Sequence, residues 1–256
     1  QYHHGIASKE NVYNNLVAPY KNNLRLFKAD GNFGFRYIQE AAAIRYTYSR
    51  NQKILKKIFH DEDIIATHSY RTTEGKPCEP ETLYPILPIG VINGQNQIGV
   101  GFASTLLPRK VETVLDLFIG ILQGTITNLP SYLPPEYPYY NGKVDLLDVN
   151  KWSLKGKVQV EVAKRGKKII RITEVPPNWD KYVLIKKLED FKDSGLIENY
   201  QNNSVKNTFN IEISSTKLEN LPEDKILEKL ELETSVTESF VYYTSDDKFQ
   251  LECKNI

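Results

Sequence analysis

Apolar residues recur at helical spacing at Val12, Leu16 and Val17, which predicts a helix capped by Ser8, with Glu10 in its first turn and Pro19 as its stop. Leu24 and Leu26 then alternate in an extended stretch that runs into Asp30-Gly31-Asn32-Phe33-Gly34, a glycine-containing loop expected to expose backbone amides. Ala41-Ala42-Ala43 passes into Ile44-Arg45-Tyr46-Thr47-Tyr48, whose aromatic and β-branched residues favour a short strand. Ile54, Leu55, Ile58 and Phe59 share one face of an amphipathic helix over residues 51–59. Prolines at 77, 80, 85 and 88 lead to an apolar run, Ile86 to Ile92, and Val111 to Leu122 reads as a clear helix.

The tract from Asn128 to Asn141 is rich in proline and tyrosine and reads as a linker, which places a domain boundary near residue 143. Behind it, alternating strands from Lys155 to Thr173 flank the turn Lys164-Arg165-Gly166-Lys167 and predict a hairpin. A helix over Lys181 to Asp193, a strand over Thr208 to Ile213 and a helix over Pro222 to Leu232 follow. Strands near Phe240 to Tyr243 and Phe249 to Leu251 complete an α+β module. The whole is therefore expected to be an α+β chain in two parts, 1–142 and 143–256, without repeats or low-complexity segments.

With 256 residues, 40% hydrophobic and 25% charged, the chain is long enough for one large or two modest domains, and it is too apolar for a disordered tail. No apolar run approaches membrane-spanning length, so neither a membrane protein nor a membrane partner is expected. The net charge of +1 argues against nucleic acid until it is resolved along the chain. Residues 1–60 hold ten Lys and Arg against three Asp and Glu, a local +7, and the remainder sums to −6. The hairpin over 155–171 adds seven basic residues against Glu161 alone. A basic segment joined to an acidic body suits a polyanionic partner.

Cys78 and Cys253 lie far apart with no histidine beside either, so they form neither a zinc site nor a disulfide framework. A reducing compartment, the cytoplasm, is expected. The sequence lacks methionine, which points to a piece of a longer chain. It carries no phosphate-cradling loop, dinucleotide fingerprint or zinc motif. The run Asp61-Glu62-Asp63 reads as a helix cap, and no intrinsic metal site is expected.

The chemistry-bearing constellation is Tyr2-His3-His4-Gly5 together with Arg45-Tyr46-Thr47. A tyrosine hydroxyl that attacks a phosphodiester needs the phosphate charge neutralised and a route for the phenol proton, and Arg and His supply both. The succession Tyr2-His3-His4-Gly5, Asp30-Gly31-Asn32-Phe33-Gly34, Ala41-Ala42-Ala43-Ile44-Arg45-Tyr46-Thr47, Leu87-Pro88-Ile89 and Asn93-Gly94 with Ile98-Gly99-Val100-Gly101 resembles the DNA-cleavage subunit of type IIA topoisomerases. The ending Ala103-Ser104-Thr105-Leu106-Leu107-Pro108 and the His-His pair are most similar to the medium subunit of T-even-like tailed phages. Ile172-Thr173-Glu174-Val175-Pro176 resembles the entry to that family's tower domain.

The resemblance implies the C-terminal part of a winged-helix cleavage domain followed by an α+β tower. It implies Tyr46 as the nucleophile that forms a 5′-phosphotyrosyl link, Arg45 and His4 on the attacked phosphate, and Ile98 as an apolar wedge between base steps. Lys28 and Arg36 of the basic segment, and Lys164, Arg165 and Lys167 of the hairpin, would lie along double-stranded DNA. Mg²⁺ and ATP would be bound by a toprim and ATPase partner, and the cleavage subunit would act as a homodimer. Ala7 and Asn11 stand where quinolone-sensitive members carry a serine and an acid, which implies a weak quinolone response. A non-catalytic winged-helix DNA-binding or architectural protein is the rival reading.

Overall fold

The computed structural model describes residues 5–67, 70–80, 82–98, 103–162, 168–243 and 250–252. The first helix, α1 (Ile6–Val17), starts three residues earlier than its sequence signals suggest. Gly5 occupies the N-cap without a side-chain bond, so Ser8 lies within the helix and no acid falls in the first turn. Strands β1 (Phe27–Asp30) and β2 (Tyr48–Asn51) form an antiparallel ribbon with Lys28 opposite Arg50 and Asp30 opposite Tyr48.

The short strand expected over Ile44 to Tyr48 is a 3₁₀ turn, Ile44–Tyr46, and the strand begins only at Tyr48. The reason is local hydrogen bonding that propensity does not register. Tyr46 N–H donates to the Ala43 carbonyl at 2.8 Å, and both Thr47 N–H and Thr47 Oγ1 donate to the Ile44 carbonyl at 3.1 Å.

Two short helices, α2 (Lys53–Ile58) and α3 (Asp61–Thr67), follow, the second opening on Asp61-Glu62-Asp63 where the helix dipole favours acids. A ribbon of β3 (Tyr70–Thr73) and β4 (Lys76–Pro80) precedes α4 (Ile89–Asn93), which occupies the end of the apolar run. Strands β5 (Gln95–Ile98) and β6 (Ala103–Leu106) pair antiparallel, and α5 (Val111–Leu122) has the bounds its periodicity predicts.

The remaining chain builds two antiparallel sheets. One takes the order β13-β8-β7 from β7 (Lys143–Asp148), β8 (Lys151–Lys155) and β13 (Glu233–Thr237). The other takes the order β11-β12-β10-β9 from β9 (Lys157–Val162), β10 (Lys168–Glu174), β11 (Asn199–Asn202) and β12 (Ile211–Ser214). Helix α6 (Lys181–Asp193) is capped by Asp180, whose carboxylate accepts from Tyr182 and Val183 N–H at 3.0 Å. Helix α7 (Glu223–Lys229) begins after Pro222, and strands β14 (Val241–Tyr243) and β15 (Gln250–Glu252) pair near the end.

The expected hairpin is β9 with β10, and its turn at 163–167 lies outside the described residues. The strand expected from Thr208 starts at Ile211, because Val205 and Thr208 exchange backbone bonds in a turn. The main core lies behind this second sheet, where Ile170 pairs with Ile213 and Ile172 with Ile211, all at most 1% exposed, against Leu184, Leu188 and Ile226.

Two buried ion pairs tie the parts together. Arg109 meets Glu238 at 2.6 Å, and Glu238 also accepts from Leu107 N–H and the Trp152 indole. Arg36 meets Glu174 at 2.6 Å, with both side chains almost wholly buried. Glu174 continues the inward face of Ile170 and Ile172, which explains an acid at a core position: its partner arrives from the other end of the sequence.

Candidate nucleic-acid interface

Tyr46 projects from the 3₁₀ turn with 65% of its surface exposed, although most large aromatic residues here are buried or half-buried. The Arg45 guanidinium carbon lies 4.8 Å from the centroid of the Tyr46 ring, so a cation and a phenol share one exposed point. Thr47, the next residue, is buried and anchors the turn. An anion placed against Arg45 would therefore meet the tyrosine side chain as well.

The loop of residues 30–34 backs this turn. Gly31 has φ +114°, and a Cβ there would lie 3.2 Å from the Tyr46 carbonyl oxygen, so the loop backbone rests directly against the turn. Ala42 N–H donates to the Asn32 carbonyl at 2.9 Å, and the Asn32 side chain accepts from Gly34 N–H at 2.9 Å. Of the amides expected to be exposed in this loop, that of Gly34 is thus spent on the loop's own Asn32 side chain.

Lys28 and Arg50 stand opposite each other on exposed positions of the β1–β2 ribbon. Arg50 is held by Asp30 at 2.7 Å, an exposed bond that keeps the Asp30 carboxyl below its usual range. Tyr48, 69% exposed and opposite Asp30, joins the same ribbon and was not a candidate from sequence. The signal available for it was its spacing of two from Arg50, which a strand assignment starting at Tyr48 turns into a shared face.

Ile98 is 89% exposed at the end of β5, paired with Ala103 at the start of β6. An isoleucine this bare is no core residue. Arg36 requires the opposite correction. Its side chain is 2% exposed and spent on Glu174 and on the carbonyls of Tyr139 and Val175, so it does not line a DNA surface. His4, Lys164, Arg165 and Lys167 lie outside the described residues.

Among the described residues no group of three or more His, Cys, Asp or Glu side chains could hold a metal, and no helix is long and apolar enough to cross a membrane. A cavity of about 440 Å³ opens between the two parts of the chain, lined by Tyr20, Lys21, Gln39, Gly94 and Leu107 among others. It contains neither Arg45 nor Tyr46, so the exposed constellation is a surface site.

A family model described as the A subunit of DNA gyrase/topoisomerase IV matches residues 1–256. The chain is similar to the DNA topoisomerase medium subunit of Enterobacteria phage T4, at 29% identity over 190 residues, 74% of this chain and 40% of that protein. It is also similar to the DNA gyrase A subunit of Thermotoga maritima, at 28% identity over 256 residues, 94% of this chain and 32% of the relative. Among solved structures, the Plasmodium falciparum topoisomerase II DNA-binding, cleavage and re-ligation domain superposes with a TM-score of 0.85. That match covers 99% of this chain and 35% of the other at 21% identity, which shows a shared fold. The chain thus spans 40% or less of the length of these relatives.

Proposed function

The chain belongs to the family of DNA gyrase and topoisomerase IV A subunits, and from that premise we propose that it breaks and rejoins double-stranded DNA through Tyr46. The phenol oxygen attacks a backbone phosphorus, forming a 5′-phosphotyrosyl bond as the bond to the 3′ oxygen breaks. One phosphoester replaces another, so resealing by the 3′-hydroxyl needs no outside energy. The observation that carries the reading is the pairing of an exposed tyrosine with a guanidinium 4.8 Å from its ring, on a turn fixed by a glycine contact.

Arg45 would neutralise the attacked phosphate, whose charge grows in the transition state. A phenol ordinarily keeps its proton up to pH of about 10, so the proton must leave as the oxygen attacks, and His4 is the group we assign to receive it. Lys28 would bind backbone phosphate beside this site, with Lys164, Arg165 and Lys167 on a second stretch of the same duplex. Ile98 would insert between base steps, unstacking them at a cost of about a few kcal/mol that wrapping recovers.

Residues 1–142 would be a winged-helix cleavage domain and 143–256 a tower. The side chains around Tyr46 do not suit a divalent cation: the nearby carboxylate, Asp30, is engaged by Arg50. On this reading Mg²⁺ and ATP would be bound by a toprim and ATPase partner polypeptide, and cutting both strands of a duplex would take two copies of Tyr46, a homodimer in the cytoplasm.

The test is covalent capture. Full-length chain, assembled with its magnesium- and ATP-binding partner and with supercoiled plasmid, is stopped with detergent and examined for protein bound to 5′ ends. Native protein should give an adduct and Tyr46→Phe none. No native adduct, or an undiminished one in Tyr46→Phe, sinks the enzymatic reading in favour of a non-catalytic DNA-binding protein.

A further inference from the structure

Residues 32–42 form a closed loop with two working ends. At its base, Ala42 N–H donates to the Asn32 carbonyl at 2.9 Å, and the adjoining Gly31 abuts the backbone of Tyr46 and Thr47. Its two limbs are in contact: a Cβ on Gly34, which has φ +83°, would lie 2.7 Å from the Gln39 carbonyl oxygen. That same carbonyl accepts from the Tyr20 hydroxyl at 3.2 Å. Such a loop is compact, with its ends close together and its interior filled by its own atoms.

The tip of the loop is not at the surface. Phe35 N–H turns back to the Ile38 carbonyl at 2.7 Å, and the two residues between enter the second part of the chain. Arg36 pairs with Glu174, its backbone N–H donates to the Asn207 side chain at 2.9 Å, and its guanidinium lies 5.0 Å from the centre of the Phe209 ring. Tyr37 belongs to the main core, where its ring meets Phe209 edge-on at 6.0 Å. Its N–H donates to Lys206, its carbonyl accepts from Lys181 N–H, and its hydroxyl accepts from Asn202 at 2.8 Å.

The loop that backs the tyrosine turn is thus pinned into the four-stranded sheet rather than into its own ribbon. We propose that Arg36 and Tyr37, with Glu174 as the receiving group, are positioning residues that set the placement of Tyr46 for attack. This rests on the reading of Tyr46 as nucleophile. A buried Arg–Glu pair is a poor source of stability compared with apolar packing, but it admits one geometry, which is what a positioning contact requires. In-line attack tolerates little displacement, and a shift of about 1 Å costs on the order of 100-fold in rate.

The experiment compares native full-length enzyme, assembled with its partner polypeptide, with Glu174→Gln, Arg36→Lys and Tyr37→Phe. Plasmid affinity, melting temperature and the rate of covalent adduct formation at saturating plasmid are measured for each. The expected result is a rate lower by about tenfold or more for Glu174→Gln and by a few-fold for Tyr37→Phe, with affinity within about twofold, because these side chains are buried and touch no phosphate. Arg36→Lys, which keeps the charge, should retain more rate than Arg36→Met.

Folded variants with native rates, or rate and affinity falling together, overturn the proposal. Should Glu174→Gln fail to fold, Tyr37→Phe decides on its own, since it removes a single hydroxyl. A native enzyme that forms no adduct overturns the nucleophile instead, and is told apart because the variants then have no rate to compare.

Discussion

The ribbon that adjoins the Tyr46 turn and the sheet that carries Ile170 and Ile211 are built on opposite terms. The sheet has four strands, covering helices and a large contiguous cluster of buried side chains. The ribbon has two strands and a nearby cluster of Val17, Ala18, Tyr20 and Phe33, with half-buried Tyr13, Phe27 and Ala29 around it. Isolated two-strand ribbons are marginal in water, so the ribbon borrows its rigidity. It does so through glycine contacts too close for a side chain and through a loop whose tip is folded into the larger core. The side chains proposed to meet DNA can therefore stay exposed without being loose.

That contrast can be broken most severely on the sheet side. Ile211→Ala removes a fully buried side chain opposite Ile172 and is expected to cost about 2–5 kcal/mol in denaturant unfolding. A loss below about 1 kcal/mol would mean that this sheet is not the main source of stability. On the ribbon side, Gly34→Ala forces a methyl group toward the Gln39 carbonyl at positive φ. It should cost about 1–3 kcal/mol. Wild-type melting for this variant would show that the loop limbs can part.

A pH titration probes the junction. Burial, helped by the nearby Asp180 charge, pushes the Tyr20 phenol up to about 12, so the folded state holds this proton more tightly than the unfolded chain. Stability should fall as pH rises from about 10 toward 12, the range between the ordinary tyrosine value and the folded one. Tyr20→Phe should flatten part of that fall. Tyr137 and Tyr140 are raised by burial too and account for a remainder, so a slope unchanged in Tyr20→Phe would remove Tyr20 from the linkage.

The smallest effect on folding is expected at Ile98. Ile98→Ala should change stability by less than about 0.5 kcal/mol because the side chain is bare, yet it should reduce DNA bending measured by end-to-end fluorescence transfer. Unchanged bending would reduce Ile98 to an exposed residue without a role on DNA.

Much of the larger region was legible in advance. Helix α6 and the β9–β10 pairing follow from periodicity that local sequence and burial both favour. Strands β7, β8, β11 and β13 did not stand out, because short segments such as Asn199-Tyr200-Gln201-Asn202 become strands only through a neighbour that supplies their hydrogen bonds. In the candidate site, Arg45 and Tyr46 came from motif order and Ile98 from the same succession. The 3₁₀ turn rests on local hydrogen bonds that propensity does not register, whereas the contact with Gly31 and the pairing of Tyr48 with Asp30 depend on a separate segment of the chain.

Arg36 and Lys28 mark the limit most clearly. Both are cations in one basic segment, and charge counting treats them alike. Sequence by itself determined the family, the order of its motifs and the uneven distribution of charge, since these are properties of the chain read in order. Only tertiary structure decided that Lys28 faces solvent while Arg36 is buried against Glu174, because the partner that makes a buried charge tolerable arrives from 138 residues away.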